Sequence, residues 1–550
     1  MQRVQLEDVC MTAARQSNRP PVMLSGSPIS ESFKERTQIM EVELKLLVDT
    51  AGAQALRDHP LLKKYAKSTP HEVDLSSTYF DTAALDIRRS DAGLRVRHDG
   101  DHGWVQTLKG GGDVNGGLHS RHEWESPVSG PTPDLGALRG LVDNKSEWGK
   151  LLRSPALKGE LAPMFTTRVK RTVWDLQLPE GDEVECVLDQ GNLEHDNDSA
   201  VISEVELELK SGDPTHLFDF ALALQEDIPM QVGNLSKADR GYALVTPQPA
   251  AAVKALPLKL SGRMTIEQAF QAIVRNCMMQ IQANEGGVVQ ANDVESLHQM
   301  RVGMRRLRSA LGLFEDVMQP TEEMQVELTW LATQLGAARD WDVLAGSTLP
   351  KIADTAPQQL RIAAIKVAAQ QKAHDHHVCA SAAVRSPRYV RLMLGCTRWV
   401  SACGWRDGMT PENLDRLARR LQKFADARLR QHRKRLLKRG KMLKGATPEE
   451  RHRVRIAAKK MRYATEFFQS LYSAKKVRPF VRALSTLQDE LGWLNDVAVA
   501  DGLLKELQDQ HADLTGRAGF IRGYLVAHGQ SEEKSTLGLW KKFAPMKLPS

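Results

Sequence analysis

The sequence predicts an α+β protein of two domains, a sheet-rich N-terminal domain followed by an all-helical C-terminal domain. From residue 40 to about 245, short segments alternate apolar with charged residues, which is typical of strands buried on one side. From about residue 260 to about 530, apolar residues instead recur with the helical period of about 3.6. This helical half contains one motif twice, which indicates an internal duplication.

The composition excludes several classes of protein. Of the 550 residues, 41% are hydrophobic and 26% are charged, as in soluble globular proteins, and the net charge is only +7. The six cysteines show no CxxC spacing, which argues against a disulfide scaffold or structural zinc and favours a reducing cytoplasm. No apolar run approaches the ~18 residues of a membrane span. Aromatic residues make up only 5%, which argues against single-stranded nucleic acid as a partner.

Two segments lie outside the predicted domains. Residues 1–38 are polar and lack the apolar core of a signal peptide. We expect a disordered extension there, or upstream sequence read from an early start codon, with Met40 as a sensible start. Residues 246–260 carry prolines and small residues and are predicted to be a linker. The predicted domains are therefore 39–245 and 261–545.

The elements of the first domain are predicted in order from their periodicity. The stretch "MEVELKLLVD" (40–49) opens the domain as a strand, and helical segments are predicted near 50–67 and 214–226. The remaining strands are predicted at 74–82, 92–99, 103–110, 120–128, 166–178, 182–193 and 202–212. The glycine-rich "KGGGDVNGG" (109–117) lacks the ending of a P-loop and precedes a strand, so a flexible hairpin loop is predicted. The close spacing of the strands favours an antiparallel sheet or barrel.

Charged residues share one face of several predicted strands. "EVELK" (41–45) places two carboxylates and an ammonium on one face of the first strand, and "EVELELK" (204–210) places three carboxylates on one face of the last. An open sheet with one solvated face is the ordinary explanation. Like charges so close together are unfavourable unless a cation lies between them. A closed sheet would point these carboxylates into a common interior where a cation can bind, so the charge pattern favours a closed sheet over an open one. Its carboxylates would hold Mg²⁺ or Mn²⁺, and arginine and lysine would bind phosphate oxygens, a combination suited to phosphoryl transfer.

Several ordered motifs in residues 40–245 together resemble the CYTH superfamily of triphosphate tunnel metalloenzymes. They are the initial E-x-E-x-K, then "YFDT", "LRVR", "TLK", "RHEWE", "EVELELK" and "SKADRGY". The resemblance implies an eight-stranded antiparallel β tunnel, or barrel, that hydrolyses triphosphates with a divalent metal. The predicted fold class is this tunnel followed by an all-α helical bundle with an internal duplication.

The resemblance also implies roles for individual residues. The residues expected to be catalytic are Glu41, Glu43 and Lys45. The expected metal ligands are Glu41, Glu43, Asp189, Glu204 and Glu206. The expected triphosphate contacts are Lys45, Arg95, Arg97, Lys109, Arg121, Arg171 and Lys237. Second-line candidates are Glu123, Glu185, Glu208 and Lys210, whereas Arg168 faces away from Arg171 and is left out.

The duplicated motif of the helical half concentrates cations on one side of a helix. "HQMRVGMRRLRSALGLF" from residue 298 resembles "HRVRIAAKKMRYATEFF" from residue 452. On a helical wheel each copy has an apolar face opposite a cationic stripe that contains no acid. The two stripes consist of His298, Arg301, Arg305 and Arg308, and of His452, Arg455, Lys459 and Arg462. A solvated helix normally mixes signs, so these stripes favour a phosphate-rich polymer as partner.

This half, over about 260–540, resembles the CHAD domain in its repeated H-x-x-R-x-x-x-[RK]-x-x-R pattern. The resemblance implies that it binds inorganic polyphosphate and has no catalytic role. Each copy is followed by an "LG" motif that contains Asp340 or Asp496. These two carboxylates either orient the basic side chains by ion pairing or cap helices.

The two resemblances predict a divalent-metal-dependent inorganic triphosphatase that hydrolyses tripolyphosphate to diphosphate and phosphate, with Mg²⁺ or Mn²⁺ as cofactor. Long-chain polyphosphate is the expected ligand of the helical domain. The cytoplasm, with association with polyphosphate granules, is the expected location, and no membrane partner is expected. Three alternatives stay open: a class IV-type adenylate cyclase, a thiamine triphosphatase, and a non-catalytic polyphosphate-binding or targeting protein.

Overall fold

The computed structural model describes residues 39–98, 103–157, 161–247, 251–290, 293–353, 362–531 and 533–549, so the predicted extension, 1–38, lies outside the described residues. The strands are β1 (Ile39–Val48), β2 (His71–Asp81), β3 (Ala92–His98), β4 (Trp104–Asn115), β5 (Leu118–Val128), β6 (Ala162–Gln177), β7 (Glu183–His195), β8 (Asp198–Ser211) and β9 (Met230–Val232).

The helices fall into two groups. Those among the strands are α1 (Thr50–Arg57), α2 (Pro60–Tyr65), α3 (Asp86–Arg89), α4 (Leu135–Leu141), α5 (Glu147–Leu152), α6 (Pro214–Leu224) and α7 (Lys237–Val245). Those of the second half are α8 (Ile266–Gln282), α9 (Glu285–Val289), α10 (Val294–Phe314), α11 (Glu322–Val343), α12 (Leu349–Ala353), α13 (Ile362–Arg385), α14 (Pro387–Ser401), α15 (Pro411–Ala418), α16 (Leu421–Gly440), α17 (Pro448–Phe468), α18 (Ala474–Gln510), α19 (Thr515–Ser531) and α20 (Glu533–Phe543).

Eight strands form a closed antiparallel barrel, as predicted. Their order is β5-β4-β3-β2-β6-β7-β8-β1, and β5 pairs back onto β1 to complete the ring. The ninth strand, β9, is short and pairs only with the last residues of β1. Closure removes the free edges of the sheet and directs alternate side chains of every strand into one interior.

The barrel has its apolar side chains outside and its charged side chains inside. In β1, Leu44 and Leu46 are fully buried in a core shared with Phe218 of α6, whereas Glu43 and Lys45 line the interior. This arrangement follows from the alternation read in the sequence, because consecutive side chains of a strand point to opposite faces. Helices pack on the apolar outer face of the barrel and form a hydrophobic core with it. The charged face of the strands therefore lines the interior of the barrel.

The glycine-rich segment 109–117 is not the flexible loop that the sequence predicted. Strand β4 continues to Asn115, with an irregular register between Gly110 and Asp113, and only the two glycines at 116–117 form the turn. Gly110 and Gly111 permit the close approach of Trp148, whose ring atoms would lie 2.6 Å and 2.4 Å from their added β-carbons. These glycines therefore allow close packing and an irregularity in the strand. The prediction had instead interpreted them as a sign of a flexible loop.

The second half is a helical assembly built around the two copies of the repeated motif. The copies form α10 and α17, which pack against each other and are followed by the long helices α11 and α18. The predicted apolar faces are buried, as Met304 of α10 and Met461 of α17 illustrate. In the part of the chain that the structure describes, no helix is both long and apolar enough to cross a bilayer.

The predicted linker lies along the helical domain where the structure describes it. Residues 251–260 form neither helix nor strand. Val253 exchanges two hydrogen bonds with the Asn284 side chain at 2.8 Å and 2.9 Å, and the Leu260 N–H donates to Ser470 Oγ at 2.9 Å. Helix α14 also packs on α6 and β9 of the first half, so the two halves are in direct contact.

Candidate active site and basic helical surface

The interior of the barrel holds a cavity of about 520 Å³ that is lined by charged side chains. Of the predicted catalytic, metal and triphosphate residues, those that line it are Glu41, Glu43, Lys45, Arg95, Arg97, Lys109, Arg121, Arg171, Glu206 and Lys237. The second-line candidates Glu123, Glu185, Glu208 and Lys210 line it as well. Arg168, which the sequence analysis left out, is mostly exposed and bonds to Glu194 on the outer surface.

Strand β1 contributes three of these side chains through its alternation. Lys45 Nζ lies 2.5 Å from Glu206 and 3.2 Å from Glu204, both on β8, and 3.8 Å from Glu43. Glu41 accepts a hydrogen bond from Lys109 of β4, which is two strands away from β1 in the ring. The first strand therefore interacts with carboxylates of β8 on one side and with a lysine of β4 on the other.

The structure divides the five predicted metal ligands into two groups. Asp189, Glu204 and Glu206 have carboxylate oxygens within 4.8 Å of one another. Asp189 and Glu204 are fully buried and absent from the cavity lining, and Lys237 lies 2.7 Å and 2.5 Å from them. These two carboxylates sit behind the cavity wall as partners of buried cations, whereas Glu206 reaches the cavity.

The carboxylates that do reach the cavity interact with one another. Burial raises the pKa of Glu43, and the nearby charge of Glu206 adds to this effect. Burial likewise raises the pKa of Glu208, with a contribution from Glu41. Burial also raises the pKa of Glu123 to about 7. Against the effect of burial, Lys109 lowers the pKa of Glu41, and Lys237, Lys45 and Arg171 hold the pKa of Glu206 well below its usual range. A bound cation would favour the ionised form of the carboxyl groups whose ionisation burial opposes.

A divalent cation fits this part of the cavity by the chemistry of its donors. Glu41, Glu43, Glu206 and Glu208 offer only carboxylate oxygens, the ligands that Mg²⁺ and Mn²⁺ prefer. Glu43 and Glu208 are also direct register partners on β1 and β8. The sequence analysis placed Glu208 in second rank and Glu204 in first, and their positions in the structure favour the reverse order.

Helix α7 closes one side of the site and was not predicted. Ser236 caps it, and Lys237 in its first turn reaches Asp189, Glu204 and Glu206. Asp239 of the same turn lies 3.6 Å from Arg121 and also pairs with Arg88, which lines the cavity. Arg88 and Arg240 were missed, although Arg240 stands within the "SKADRGY" motif and bonds to Glu204 at 2.9 Å.

The two cationic stripes of the helical half converge into one surface. Arg305 Nε lies 3.4 Å from the Tyr463 hydroxyl, which links α10 to α17. Burial, then Arg455 and Arg305, lower the pKa of Lys459 to about 8. Burial, then Arg339 and Arg305, lower the pKa of His298 to about 4. We call this group the basic seam, and its members are His298, Arg301, Arg305, Arg339, Arg455, Lys459 and Arg462.

The remaining two stripe residues lie apart from the basic seam. Arg308 and His452 are exposed, and none of the described interactions joins them to the seam. Arg339 was missed by the sequence analysis, although it directly precedes Asp340 in the "LG" motif. The sequence analysis had named only Asp340, as a residue that could orient the basic side chains.

Asp340 and Asp496 act on the seam through charge. Both lie inside long helices, α11 and α18, so the capping alternative is wrong. Asp340 lies 3.9 Å from Arg301. Burial lowers the pKa of Arg455, and the negative charge of Asp496 partly offsets this by raising it. Gly336 of the "LG" motif leaves room for this arrangement, since an added β-carbon there would lie 2.8 Å from Arg301 Nη1.

The first half is thus a closed β tunnel with an interior of acids and bases, and the second is a duplicated helical domain with a basic seam. Residues 40–242 match the family model of the CYTH domain, and residues 272–505 match that of the CHAD domain. The chain is therefore a fusion of a CYTH domain with a CHAD domain.

Known proteins are similar to parts of the chain. An inorganic triphosphatase from Haemophilus influenzae is 33% identical over 215 residues, which cover 39% of this chain and 57% of the relative's length. The crystal structure of the CHAD domain from the plant Ricinus communis is 37% identical with a TM-score of 0.50. That similarity covers 55% of this chain and 99% of the plant chain.

Proposed function

We propose that this protein is a divalent-metal-dependent inorganic triphosphatase. Its tunnel hydrolyses tripolyphosphate to diphosphate and phosphate, and its helical domain binds long-chain polyphosphate at the basic seam. The observation that carries the proposal is the cavity of about 520 Å³, in which carboxylates of β1 and β8 face cations from β3, β4, β5, β6 and α7. The similarity to an inorganic triphosphatase, which spans only part of that relative, supports the same reaction class.

The cavity favours an inorganic triphosphate over a nucleotide. Its lining is dominated by charged side chains, and the two aromatic residues that border it, Tyr79 and Trp124, are only 6% and 4% exposed. Neither ring offers a free face on which a base or a thiazole could stack. Arginine and lysine instead provide bidentate and point-charge contacts to phosphate oxygens.

The residues of the cavity divide the work of the reaction. Phosphate oxygens are bound by Lys45, Arg95, Arg97, Lys109, Arg121, Arg171 and Lys237. Glu41, Glu43, Glu206 and Glu208 would hold the divalent cation, which neutralises phosphate charge and lowers the pKa of a bound water. A water attacks the terminal phosphorus, a carboxylate of the cavity accepts its proton, and the bridging P–O bond breaks to release diphosphate.

The basic seam is suited to a polyanion that is longer than the tunnel substrate. It brings six arginine and lysine side chains from α10, α11 and α17 together, and partial burial strengthens their interaction with phosphate. Burial, followed by the nearby charges of Arg455 and Arg305, lowers the pKa of Lys459, so a negatively charged ligand would stabilise its ammonium form. A chain of phosphates supplies such negative charge at regular intervals.

The proposal is tested by measuring phosphate release from tripolyphosphate, ATP, thiamine triphosphate and long-chain polyphosphate, with Mg²⁺, with Mn²⁺ and with chelator. Glu43→Gln should abolish most of the activity and keep the fold, because it removes one carboxylate charge without a change of size. Glu194→Gln is the matched control, since Glu194 pairs with Arg168 on the outer surface of the barrel. Calorimetry of Mn²⁺ binding to both variants reports the metal site without reference to turnover.

Each outcome points to one function. Metal-dependent release from tripolyphosphate that is lost only in Glu43→Gln supports the triphosphatase. Preferred turnover of ATP or thiamine triphosphate would replace it with a cyclase or a thiamine triphosphatase. No release from any substrate, with long-chain polyphosphate still bound, would make the protein a polyphosphate-binding protein.

A further inference from the structure

The helical domain contacts the tunnel at the turn between β4 and β5. Gly116 and Gly117 form this turn with φ of +61° and +83°, a conformation that favours glycine. Gly116 lies against Thr397 of α14, which is fully buried. A β-carbon added to Gly116 would lie 2.0 Å from Thr397 Oγ1 and 2.8 Å from its Cβ. The turn and the helix are thus in direct contact with no room for a side chain between them.

The same turn holds the backbone of Lys45. The Lys45 N–H donates a hydrogen bond to the Gly117 carbonyl at 2.8 Å, and the Lys45 carbonyl accepts one from the Gly233 N–H at 2.9 Å. His119, which is buried, has its Nε2 2.8 Å from the Gly233 carbonyl. The backbone of Lys45 therefore lies between two segments that depend on each other for position.

Helix α14 supports the second of these segments as well. It packs against β9, whose Val232 and Gln231 pair with Leu46 and Leu47 of β1 directly after Lys45. It also packs against α6, where Gln225 Nε2 donates to the Pro387 carbonyl at 2.7 Å. One helix of the CHAD domain thus contacts both segments that hydrogen-bond to the backbone of Lys45, the β4–β5 turn and the end of β9.

We propose that α14 positions Lys45 in the tunnel, so that the CHAD domain supports the active site in addition to binding polyphosphate. Thr397 and Gly116 are then positioning residues that act through the backbone of Lys45. The catalytic consequence rests on the proposed function, since Lys45 is expected to bind the substrate. The side chain of Lys45 lies 2.5 Å from Glu206, and a shift of its strand moves the ammonium relative to the phosphate site.

The test introduces one methyl group at this contact in the full-length chain. Gly116→Ala forces the turn away from Thr397, and Gly181→Ala is the matched control, because Gly181 also has a positive φ of +93° but no atom within 4 Å of the added carbon. Amide hydrogen exchange at Lys45 and the kinetic constants for tripolyphosphate are then compared. We expect faster exchange and a loss of about tenfold in kcat/KM in Gly116→Ala only, since misplacement by an ångström costs up to ~10²-fold.

A compensating change separates positioning from general destabilisation. Thr397→Ala in the Gly116→Ala chain removes Oγ1 and Cγ2, which lie 2.0 Å and 2.9 Å from the added carbon, and leaves the Cβ at 2.8 Å, so it should restore exchange and kcat/KM in part. If Gly116→Ala does not fold, Thr397→Ala alone decides, because the gap it leaves under the turn should increase exchange at Lys45. Equal behaviour of the Gly116 and Gly181 variants, or no rescue, would overturn the proposal.

The proposed function and this inference can fail separately. A wild-type chain that releases no phosphate removes the proposed function but leaves the exchange experiment intact. Protection of the Lys45 amide that is lost in Gly116→Ala and kept in Gly181→Ala then still supports positioning by α14. Protection that is retained in every variant overturns it.

Discussion

Lys459 should make polyphosphate binding depend on pH above neutrality. In the protein without ligand, the pKa of Lys459 is lowered from the usual 10.5 to about 8. Burial is the largest cause, followed by the charges of Arg455 and Arg305. A bound polyanion places negative charge beside the ammonium and raises the pKa again. Binding should therefore take up a proton, and affinity should fall as the pH rises above about 8, since the complex contains the charged form.

The size of the pH effect on polyphosphate affinity follows from the difference between the pKa of Lys459 in the free protein and in the complex. A group that must be protonated for binding costs ~1.4 kcal/mol, or tenfold in affinity, for each pH unit above its pKa in the free protein. Lys459 is only partly buried, so screening by solvent narrows the pH range over which the affinity falls at this rate. In the free chain the folded state releases this proton before the unfolded state does, so stability rises with pH between about 8 and 10.5.

Calorimetric titration with polyphosphate at about pH 7, 8 and 9, in buffers with different ionisation enthalpies, measures the proton uptake directly. The Lys459→Met variant should show no proton uptake and should bind polyphosphate more weakly than the wild type at neutral pH. Lys460→Met is the control, because Lys460 is exposed on the same helix and should retain the pH dependence of the wild type. Proton uptake that is absent in the wild type, or that persists in Lys459→Met, would refute the reasoning.

Three further predictions concern buried charge and close packing. Lys237→Met removes one cation from each of the buried carboxylates Asp189, Glu204 and Glu206, which keep other cationic partners, and should lower the free energy of unfolding by up to ~3–5 kcal/mol in urea. The more exposed pair of Lys210 with Glu208 should contribute less than ~1 kcal/mol, and similar losses in the two variants would contradict this. Because burial raises the pKa of Glu123 to about 7, metal-free protein should lose stability as the pH rises from about 4.5 to 7, and the melting temperature of Glu123→Gln should fall less over that range than that of the wild type. Gly336→Ala should displace the guanidinium 2.8 Å from the new methyl and weaken polyphosphate binding several-fold, while Gly312→Ala, which meets open space, should leave it unchanged in the same titration.

Much of the fold was readable because it depends on local geometry. Alternation in "EVELK" (41–45) and "EVELELK" (204–210) separates charged from apolar side chains in any strand, whatever the strand pairs with. The helical period likewise separates the cationic stripe of α10 from its apolar face. The closed barrel and the duplicated helical domain followed from these patterns and from the resemblance to known families.

The roles of neighbouring carboxylates could not be read in the same way. Glu204, Glu206 and Glu208 share one face of β8 and look equivalent in the sequence. Closure of the barrel and the unpredicted helix α7 place Glu204 behind Lys45 and Lys237, while Glu206 and Glu208 reach the cavity. Burial depth along a strand depends on what covers its end, and that is a tertiary property.

The sequence by itself determined which side chains share a face, because the period of a strand or a helix is set by the backbone. Only the tertiary structure decided which faces meet. Arg305 and Lys459 are more than a hundred residues apart in the chain and interact because α10 packs against α17. Gly116 meets Thr397 because α14 docks on the tunnel, a contact between distant segments that no local pattern records. Such contacts depend on the shape of both partners, which exists only after both have folded.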